Sequence, residues 1–222
     1  MKFENEREKI IKYCQKMVKD GLTKGTGGNI SICDKNQKIM AITPSGIDYF
    51  KMEPKDIVII DVESGKIIEG DKVPSSELDM HRIFYKYRKG IKAVVHTHSK
   101  FATAVSCTSL KGLPAIDYLL AVAGVDVPCA EYATYGTVKL AKNAFNTMED
   151  RKAVLLSNHG MIAVGENLEE AYNIAENVEF CSEIFCISKS IGAPKILSEK
   201  EMLHMIDRFK NYGKRIEEHD EI

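Results

Sequence analysis

The spacing of apolar residues along the chain predicts five helices. Residues 3–20 place Phe3, Ile10 and Met17 on one helical stripe, and Gly21 follows as a helix end. Four further segments repeat this helical spacing, each long enough to bury one apolar face. They are residues 77–87, 137–148, 168–191 and 199–211.

Shorter apolar stretches bounded by turn residues predict strands. Residues 30–33 and 38–42 flank a polar turn, which is the pattern of a hairpin, and residues 56–62 form another strand-like run. Residues 93–95 and 153–156 are short buried strands, and each leads towards a histidine. Because strands and helices interleave without a linker or a repeat, we expect one α/β domain over the whole 222-residue chain.

Composition and charge narrow the classes of function. With a formal net charge of −1, the chain offers no general attraction for nucleic acid or an anionic membrane. No apolar run reaches the ~18 residues that a membrane span needs. Six cysteines are scattered without a CxxC pair, which is typical of reduced thiols in a cytoplasmic protein. We therefore expect a cytoplasmic protein that binds neither nucleic acid nor membrane, and that holds any anionic substrate through local groups.

Two predicted strands lead into histidines that can bind a metal ion. His96 and His98 alternate, so an extended backbone directs both to one face, and His159 follows the other strand. Three imidazoles leave one position of a tetrahedral Zn²⁺ open, which is the arrangement of a catalytic site. The alternative is that these are ordinary histidines hydrogen-bonded at strand ends. Spacing alone does not show that the two strands meet.

Glu77 opens a predicted helix directly after Ser75 and Ser76. A carboxylate at this position can ligate a metal ion and act as a base once substrate displaces it. A serine-capped helix with an acidic first turn has the same sequence and needs no function. Both interpretations stay open at this point.

Three short segments of small residues offer backbone N–H groups and hydroxyls that can hold a phosphate together. Each segment alone is an ordinary turn, and the chain has no nucleotide-binding P-loop pattern. The candidate phosphate residues are Gly28, Asn29, Ser45, Gly46, Ser75 and Ser76.

Five motifs in a fixed order make the chain resemble a known family. Over about residues 8–215 it resembles the class II aldolase and epimerase family. The motifs are GTGGNIS at residues 25–31, ITPSG at 42–46, PSSE at 74–77, VHTH at 95–98 and NHG at 158–160.

This resemblance implies an α/β/α three-layer sandwich around a largely antiparallel central sheet. It also implies a homotetramer with sites at subunit interfaces, and one Zn²⁺ per subunit. The residues matching the zinc ligands are Glu77, His96, His98 and His159, and the six candidate phosphate residues match the family's phosphate site.

The resemblance also implies roles for three catalytic residues. Glu77 matches the acid/base that ligates zinc in the resting site. Tyr118 matches a tyrosine that donates a proton from a neighbouring subunit. Tyr212 matches a tyrosine in a mobile C-terminal tail, expected from about residue 209, that closes over the site.

The implied reaction is cleavage of a ketose 1-phosphate, such as L-fuculose 1-phosphate, between C3 and C4. A metal-stabilised enediolate leads to dihydroxyacetone phosphate, and the other product is an aldehyde such as L-lactaldehyde. Asp117 departs from the family pattern and leaves the aldehyde open.

Three alternatives lie within the same family: L-ribulose-5-phosphate 4-epimerase, methylthioribulose-1-phosphate dehydratase and a non-enzymatic module like the adducin head. Glu77 favours the aldolase over the epimerase, whose branch typically carries Asp there, and so does the match of residues 209–215 to the aldolase tail. The three histidines disfavour the non-enzymatic module.

Overall fold

The computed structural model describes residues 2–211, and six α-helices lie within them. All five predicted helices are confirmed, with ends within a few residues of those expected. The short helix α3 was not predicted. The helices are α1 (Glu4–Lys19), α2 (Leu78–Tyr87), α3 (Lys100–Ser106), α4 (Val138–Met148), α5 (Leu168–Ile191) and α6 (Glu199–Asn211).

Nine strands form one sheet in the described part of the chain. They are β1 (Asn29–Cys33), β2 (Ile39–Ile42), β3 (Val58–Asp61), β4 (Ile67–Glu69), β5 (Ala93–Thr97), β6 (Gly112–Leu113), β7 (Val127–Ala130), β8 (Ala153–Leu156) and β9 (Gly160–Gly165). The strand order is β4-β3-β2-β1-β5-β9-β8-β7-β6. Neighbouring strands run antiparallel except β7 and β8, which are parallel. The expected largely antiparallel α/β fold is confirmed.

The two faces of the sheet bury separate apolar clusters because alternate residues of a strand point to opposite sides. Val94 of β5 and Ile162 of β9 pack in the cluster that includes α2 and α4. Val95 and Ala163, their neighbours, pack in the cluster that includes α1, α3 and α5. Helices therefore cover the sheet on both sides, and even-numbered residues of β5 face α2.

The strand that sequence reasoning missed at the centre of the sheet is β9. It follows the Asn158-His159-Gly160 turn and pairs with both β5 and β8. Among residues 2–211, no helix combines the length and apolar character that crossing a membrane requires. Helix α6 continues to Asn211, and Tyr212 and the rest of the expected tail lie outside the described residues.

Candidate metal centre

A tight turn between β8 and β9 brings His159 to His96 of β5 and to His98, which follows that strand. Asn158 adopts a left-handed backbone conformation (φ 54°) that Asn tolerates better than most residues, and the chain reverses there. Strand β9 then pairs with β5, with His96 opposite Ile162. The imidazole centroids of His96, His98 and His159 lie 4.7 to 5.0 Å apart.

Hydrogen bonding fixes which nitrogen of His96 faces the cluster. Its Nδ1 lies 2.8 Å from the carbonyl oxygen of Met161 in β9, and a carbonyl oxygen can only accept. Nδ1 therefore carries the hydrogen, and Nε2 keeps a lone pair. A partner of this kind on the remote nitrogen is usual for a metal-binding imidazole.

Imidazole nitrogens and carboxylate oxygens crowd together at this point. The Nε2 of His96 lies 2.9 Å from the Nε2 of His98 and 2.9 Å from a carboxylate oxygen of Glu77. The other carboxylate oxygen of Glu77 is buried without a hydrogen-bond partner and lies 3.5 Å from His159 Nε2. One ligand atom from each of these four residues lies within 4.8 Å of every other. A proton or a metal ion relieves the repulsion among such atoms, and four ligand atoms of these types at these distances fit a divalent metal ion.

Glu77 reaches the cluster from the N-terminal end of α2, where it occupies the N-cap position without a side-chain hydrogen bond to the helix. Its side chain is 6% exposed. Burial opposes ionisation, but the His96 and His159 imidazoles and the Asn29 amide outweigh it, so the pKa of the Glu77 carboxyl lies well below its usual range. A carboxylate held ionised is available both as a ligand and as a base.

Burial and mutual repulsion keep two of the imidazoles neutral. Burial, joined by repulsion from His96, lowers the pKa of His98 to about 3 and that of His159 to about 4. Burial also lowers the pKa of His96, but the Glu77 carboxylate and the Met161 carbonyl more than offset it, so the net change is upwards. The cluster thus favours one positive charge between His96 and Glu77, which a metal ion can supply in place of a proton.

A cavity of about 320 Å³ opens beside the four clustered residues. All six candidate phosphate residues line it, although they come from three separate loops of the sequence. Gly28 allows its loop to approach β5, because a Cβ there would lie 2.6 Å from the carbonyl oxygen of His96. Its φ of +71° also lies in the left-handed region that favours glycine.

Sequence reasoning missed part of the cavity wall. Tyr132, Tyr135 and Asn158 line it together with the residues already named. The tyrosines follow β7 in an exposed segment with no helix or strand periodicity, so no pattern marked them. Asn158 directly precedes His159 in the sequence, and this position next to a candidate ligand was the feature that could have indicated it.

Tyr118 lies away from the cluster within the described chain. It starts a 3₁₀ turn, is 49% exposed and is not among the described residues that line the cavity. Its ring stacks at 6.3 Å from that of Phe209 in α6. Tyr212 lies outside the described residues 2–211.

Known proteins are similar to this chain in sequence and in fold. A 5-deoxy-D-ribulose 1-phosphate aldolase from Bacillus thuringiensis serovar kurstaki is 49% identical over 215 residues, covering 97% of this chain and 100% of the relative. An L-fuculose phosphate aldolase from Escherichia coli strain K12 is 43% identical over 211 residues, covering 94% and 96%. A solved structure described as L-fuculose 1-phosphate aldolase has a TM-score of 0.91 and 49% identity, covering 95% of this chain and 98% of that one.

The profile of the family described as "Class II Aldolase and Adducin N-terminal domain" matches residues 8–186. That range contains all three clustered histidines and Glu77. The chain therefore belongs to the class II aldolase family.

Proposed function

We propose that the chain is a zinc-dependent class II aldolase that cleaves a ketose 1-phosphate. One observation carries this proposal: Glu77 and three imidazoles converge within 4.8 Å beside a cavity that small, polar loops line. Neutral imidazoles with a carboxylate suit Zn²⁺ in a catalytic site, with His96, His98 and His159 as its permanent ligands and Glu77 as a replaceable one. When bound, the ion supplies Lewis-acid polarisation of the ketose carbonyl and adjacent hydroxyl oxygens.

Glu77 is the residue we assign to proton transfer at the carbon skeleton. In cleavage the C4 hydroxyl loses a proton as the C3–C4 bond breaks, and C3 gains one. The buried, ionised carboxylate of Glu77 lies beside the proposed metal ligands and lines the cavity, so it is suited to carry the C3 proton. The side chain of Glu77 is also longer than the Asp that is typical of the epimerase branch, and this supports an aldolase, as the resemblance implies.

The phosphate group occupies the small-residue loops in this proposal. Ser45, Gly46 and Ser76 are exposed to the cavity, while Gly28, Asn29 and Ser75 lie in its buried wall. Together they supply hydroxyls, backbone N–H groups and one amide to an anion without a lysine or arginine. Asn29→Leu removes the amide, so we expect KM for the phosphorylated ketose to rise; an unchanged KM would argue against this placement.

Two tyrosines and an oligomer complete the proposal. Tyr118 is half exposed, so a neighbouring copy of the chain can contact it, and we assign it the C4 hydroxyl proton in a site shared between subunits of a homotetramer. Tyr212 is proposed to close over the site from a mobile tail. Sedimentation equilibrium tests the tetramer, and a monomer that remains fully active would contradict the shared site.

The relatives name two substrates that differ at one end. Cleavage between C3 and C4 of 5-deoxy-D-ribulose 1-phosphate releases acetaldehyde, whereas L-fuculose 1-phosphate releases L-lactaldehyde. Both yield dihydroxyacetone phosphate. Both names occur among matches at 49% identity, the deoxyribulose enzyme and the solved fuculose structure, so identity does not rank the two substrates. We take 5-deoxy-D-ribulose 1-phosphate as our first candidate and L-fuculose 1-phosphate as our second.

Product analysis in the synthetic direction tests these assignments. The protein is incubated with dihydroxyacetone phosphate and either acetaldehyde or L-lactaldehyde, and kcat/KM is compared for the two. Parallel reactions contain L-ribulose 5-phosphate or methylthioribulose 1-phosphate, the substrates of the epimerase and dehydratase alternatives. We expect condensation with both aldehydes and a higher kcat/KM for acetaldehyde. Turnover of either of the other substrates without condensation would refute the aldolase.

A further inference from the structure

A buried row of polar side chains lies behind Glu77, and nothing in the proposed reaction accounts for it. We propose that His81 is a positioning residue that orients the Asn29 amide and, through it, the Glu77 carboxylate. This inference rests on the proposed function only for the kinetic consequence, since the orientation itself is a property of the folded chain.

Two sequence periods place these residues together. Glu77, His81 and Tyr85 are spaced four residues apart, so they lie along one side of α2. Asn29 and Ser31 alternate on β1, so they share the face of the sheet that this helix covers.

Short contacts join the five side chains in one row. His81 Nε2 lies 2.5 Å from Asn29 Oδ1, and His81 Nδ1 lies 2.7 Å from the Ser31 hydroxyl. That hydroxyl lies 2.7 Å from the Tyr85 hydroxyl. At the other end, Asn29 Nδ2 donates to Glu77 Oε2 at 3.2 Å.

The ionised carboxylate determines the direction of every hydrogen bond in this row. Glu77 can only accept, so Asn29 must present its NH₂ group to Glu77 and its Oδ1 to the imidazole. That oxygen also only accepts, so His81 must carry its hydrogen on Nε2. His81 Nδ1 is then an acceptor, and the Ser31 hydroxyl must donate to it. The single hydrogen of the Tyr85 hydroxyl is then shared between two acceptors, the Ser31 hydroxyl at 2.7 Å and the Ser31 carbonyl oxygen at 3.0 Å.

His81 acts through Asn29 and not on a substrate. It is fully buried and is not among the residues that line the cavity. Burial lowers the pKa of His81 to about 3, so it remains neutral and serves as a fixed donor. Asn29 does line the cavity, and its NH₂ group has a second hydrogen beyond the one donated to Glu77. One amide can therefore contact both Glu77 and the proposed phosphate.

Loss of the His81 donor leaves Asn29 Oδ1 buried without a partner. The carboxylate still favours the NH₂ group, but the amide is then held at one end only and is free to shift. Glu77 would lose the contact that holds Oε2. This consequence differs from simple loss of packing, because it depends on an N–H at one position and not on ring volume.

Steady-state kinetics of His81→Phe test the proposal in the full chain. Because Asn29 then no longer holds Glu77 in place, we expect kcat for condensation to fall about tenfold or more. His81→Gln, which can place an N–H at the same point, should recover a large part of that loss. Phe84→Leu is the matched control on α2: Phe84 is fully buried, so its truncation should lower stability while leaving kcat within about twofold.

A double-mutant cycle separates positioning from packing. If His81 acts through Asn29, His81→Phe should not lower kcat further in an Asn29→Leu background. Losses that multiply, or equal losses in His81→Phe and His81→Gln, would overturn the proposal. If His81→Phe does not fold, Ser31→Ala takes its place in the cycle. That variant keeps the ring and removes the hydroxyl that donates to His81 Nδ1 and so holds the ring in place. A kcat within twofold of the parent would contradict the proposal.

NMR of protein labelled with ¹⁵N in its histidine rings gives a measurement that does not depend on catalysis. We expect His81, identified by the signal lost in His81→Gln, to be the neutral tautomer with hydrogen on Nε2 from pH 5 to 8. A tautomer with hydrogen on Nδ1, or a protonated ring, would overturn the inference. If the protein proves not to be an aldolase, this measurement still decides the orientation, so the two failures can be told apart.

Discussion

Glu77→Gln isolates the charge of the proposed base with almost no change in shape. The carboxylate receives an N–H from Asn29 at 3.2 Å and approaches His96 Nε2 to 2.9 Å. Glutamine keeps the same length and volume but cannot take up a proton at neutral pH. Because His96, His98 and His159 are unchanged, we expect the variant to fold and to retain zinc.

The size of the effect follows from the role assigned to Glu77. General acid–base catalysis by a positioned side chain contributes about 10²–10⁴ in rate. At 1.36 kcal/mol per tenfold, this corresponds to a loss of about 3–5 kcal/mol of transition-state stabilisation. A glutamine also disturbs the contact with Asn29, since one orientation of its amide places a donor against a donor. We therefore expect the upper part of this range for kcat.

Hydrogen exchange at C3 of dihydroxyacetone phosphate isolates the step assigned to Glu77. The protein is incubated with this ketone in D₂O without aldehyde, and proton NMR follows loss of the C3 hydrogen. Glu77→Gln should abolish exchange while zinc content by mass spectrometry stays near one per subunit. Tyr118→Phe is the control, because it should retain exchange and lose condensation. Exchange at the wild-type rate in zinc-loaded Glu77→Gln would refute the assignment of Glu77 as the base.

Three further predictions concern the metal, the backbone and pH. His96→Ala removes a ligand from the centre of the cluster, so elemental analysis should find zinc far below one per subunit; full retention would contradict the metal site. Gly28→Ala places a Cβ 2.6 Å from the His96 carbonyl oxygen, and urea unfolding should report a loss of about 1–3 kcal/mol. Gly25→Ala is its control, because Gly25 has a similar φ of +66° and a Cβ there would meet nothing within 4 Å. Equal losses of unfolding free energy in the two variants would show that the clash with the His96 carbonyl oxygen is not the cause. Burial lowers the pKa of His81 to about 3 in the folded protein, from 6.5 in the unfolded chain. Between these two pH values the unfolded chain binds more protons, so the free energy of unfolding falls as the pH drops. From pH 6.5 to 5, metal-free protein should lose about 2 kcal/mol more than His81→Phe does, and equal losses would contradict the shift.

Local patterns were sufficient to predict the helices because each helix repeats its apolar face over several turns. The repeat in residues 168–191, for example, predicted the bounds of α5 as observed. Strands were harder, since β4 and β6 have only three and two residues and carry no measurable period. Strand β9 has six buried residues in a row and no alternation, which fits a strand covered on both faces.

Residue types in the motifs identified the chemistry of the site but not its geometry. Histidine and glutamate are usual ligands of a catalytic zinc ion, so the sequence alone indicated the type of site. The spacing left open whether His159 meets His96 and His98. The four-residue spacing of Glu77, His81 and Tyr85 on one helix is also visible in the sequence. It indicated no role until the structure placed Asn29 and Ser31 opposite these side chains.

The sequence by itself determined the family, the five longer helices, the chemical type of the candidate ligands and the small-residue loops. These depend on residues close together in the chain, where spacing and side-chain chemistry act directly. Only the tertiary structure decided that β9 lies between β5 and β8, that His159 therefore reaches His96, and that Asn29 links His81 to Glu77. Such contacts join residues 48 to 65 positions apart, and they depend on which strands pair. Pairing is decided by the whole sheet and its two apolar faces, which no single segment encodes.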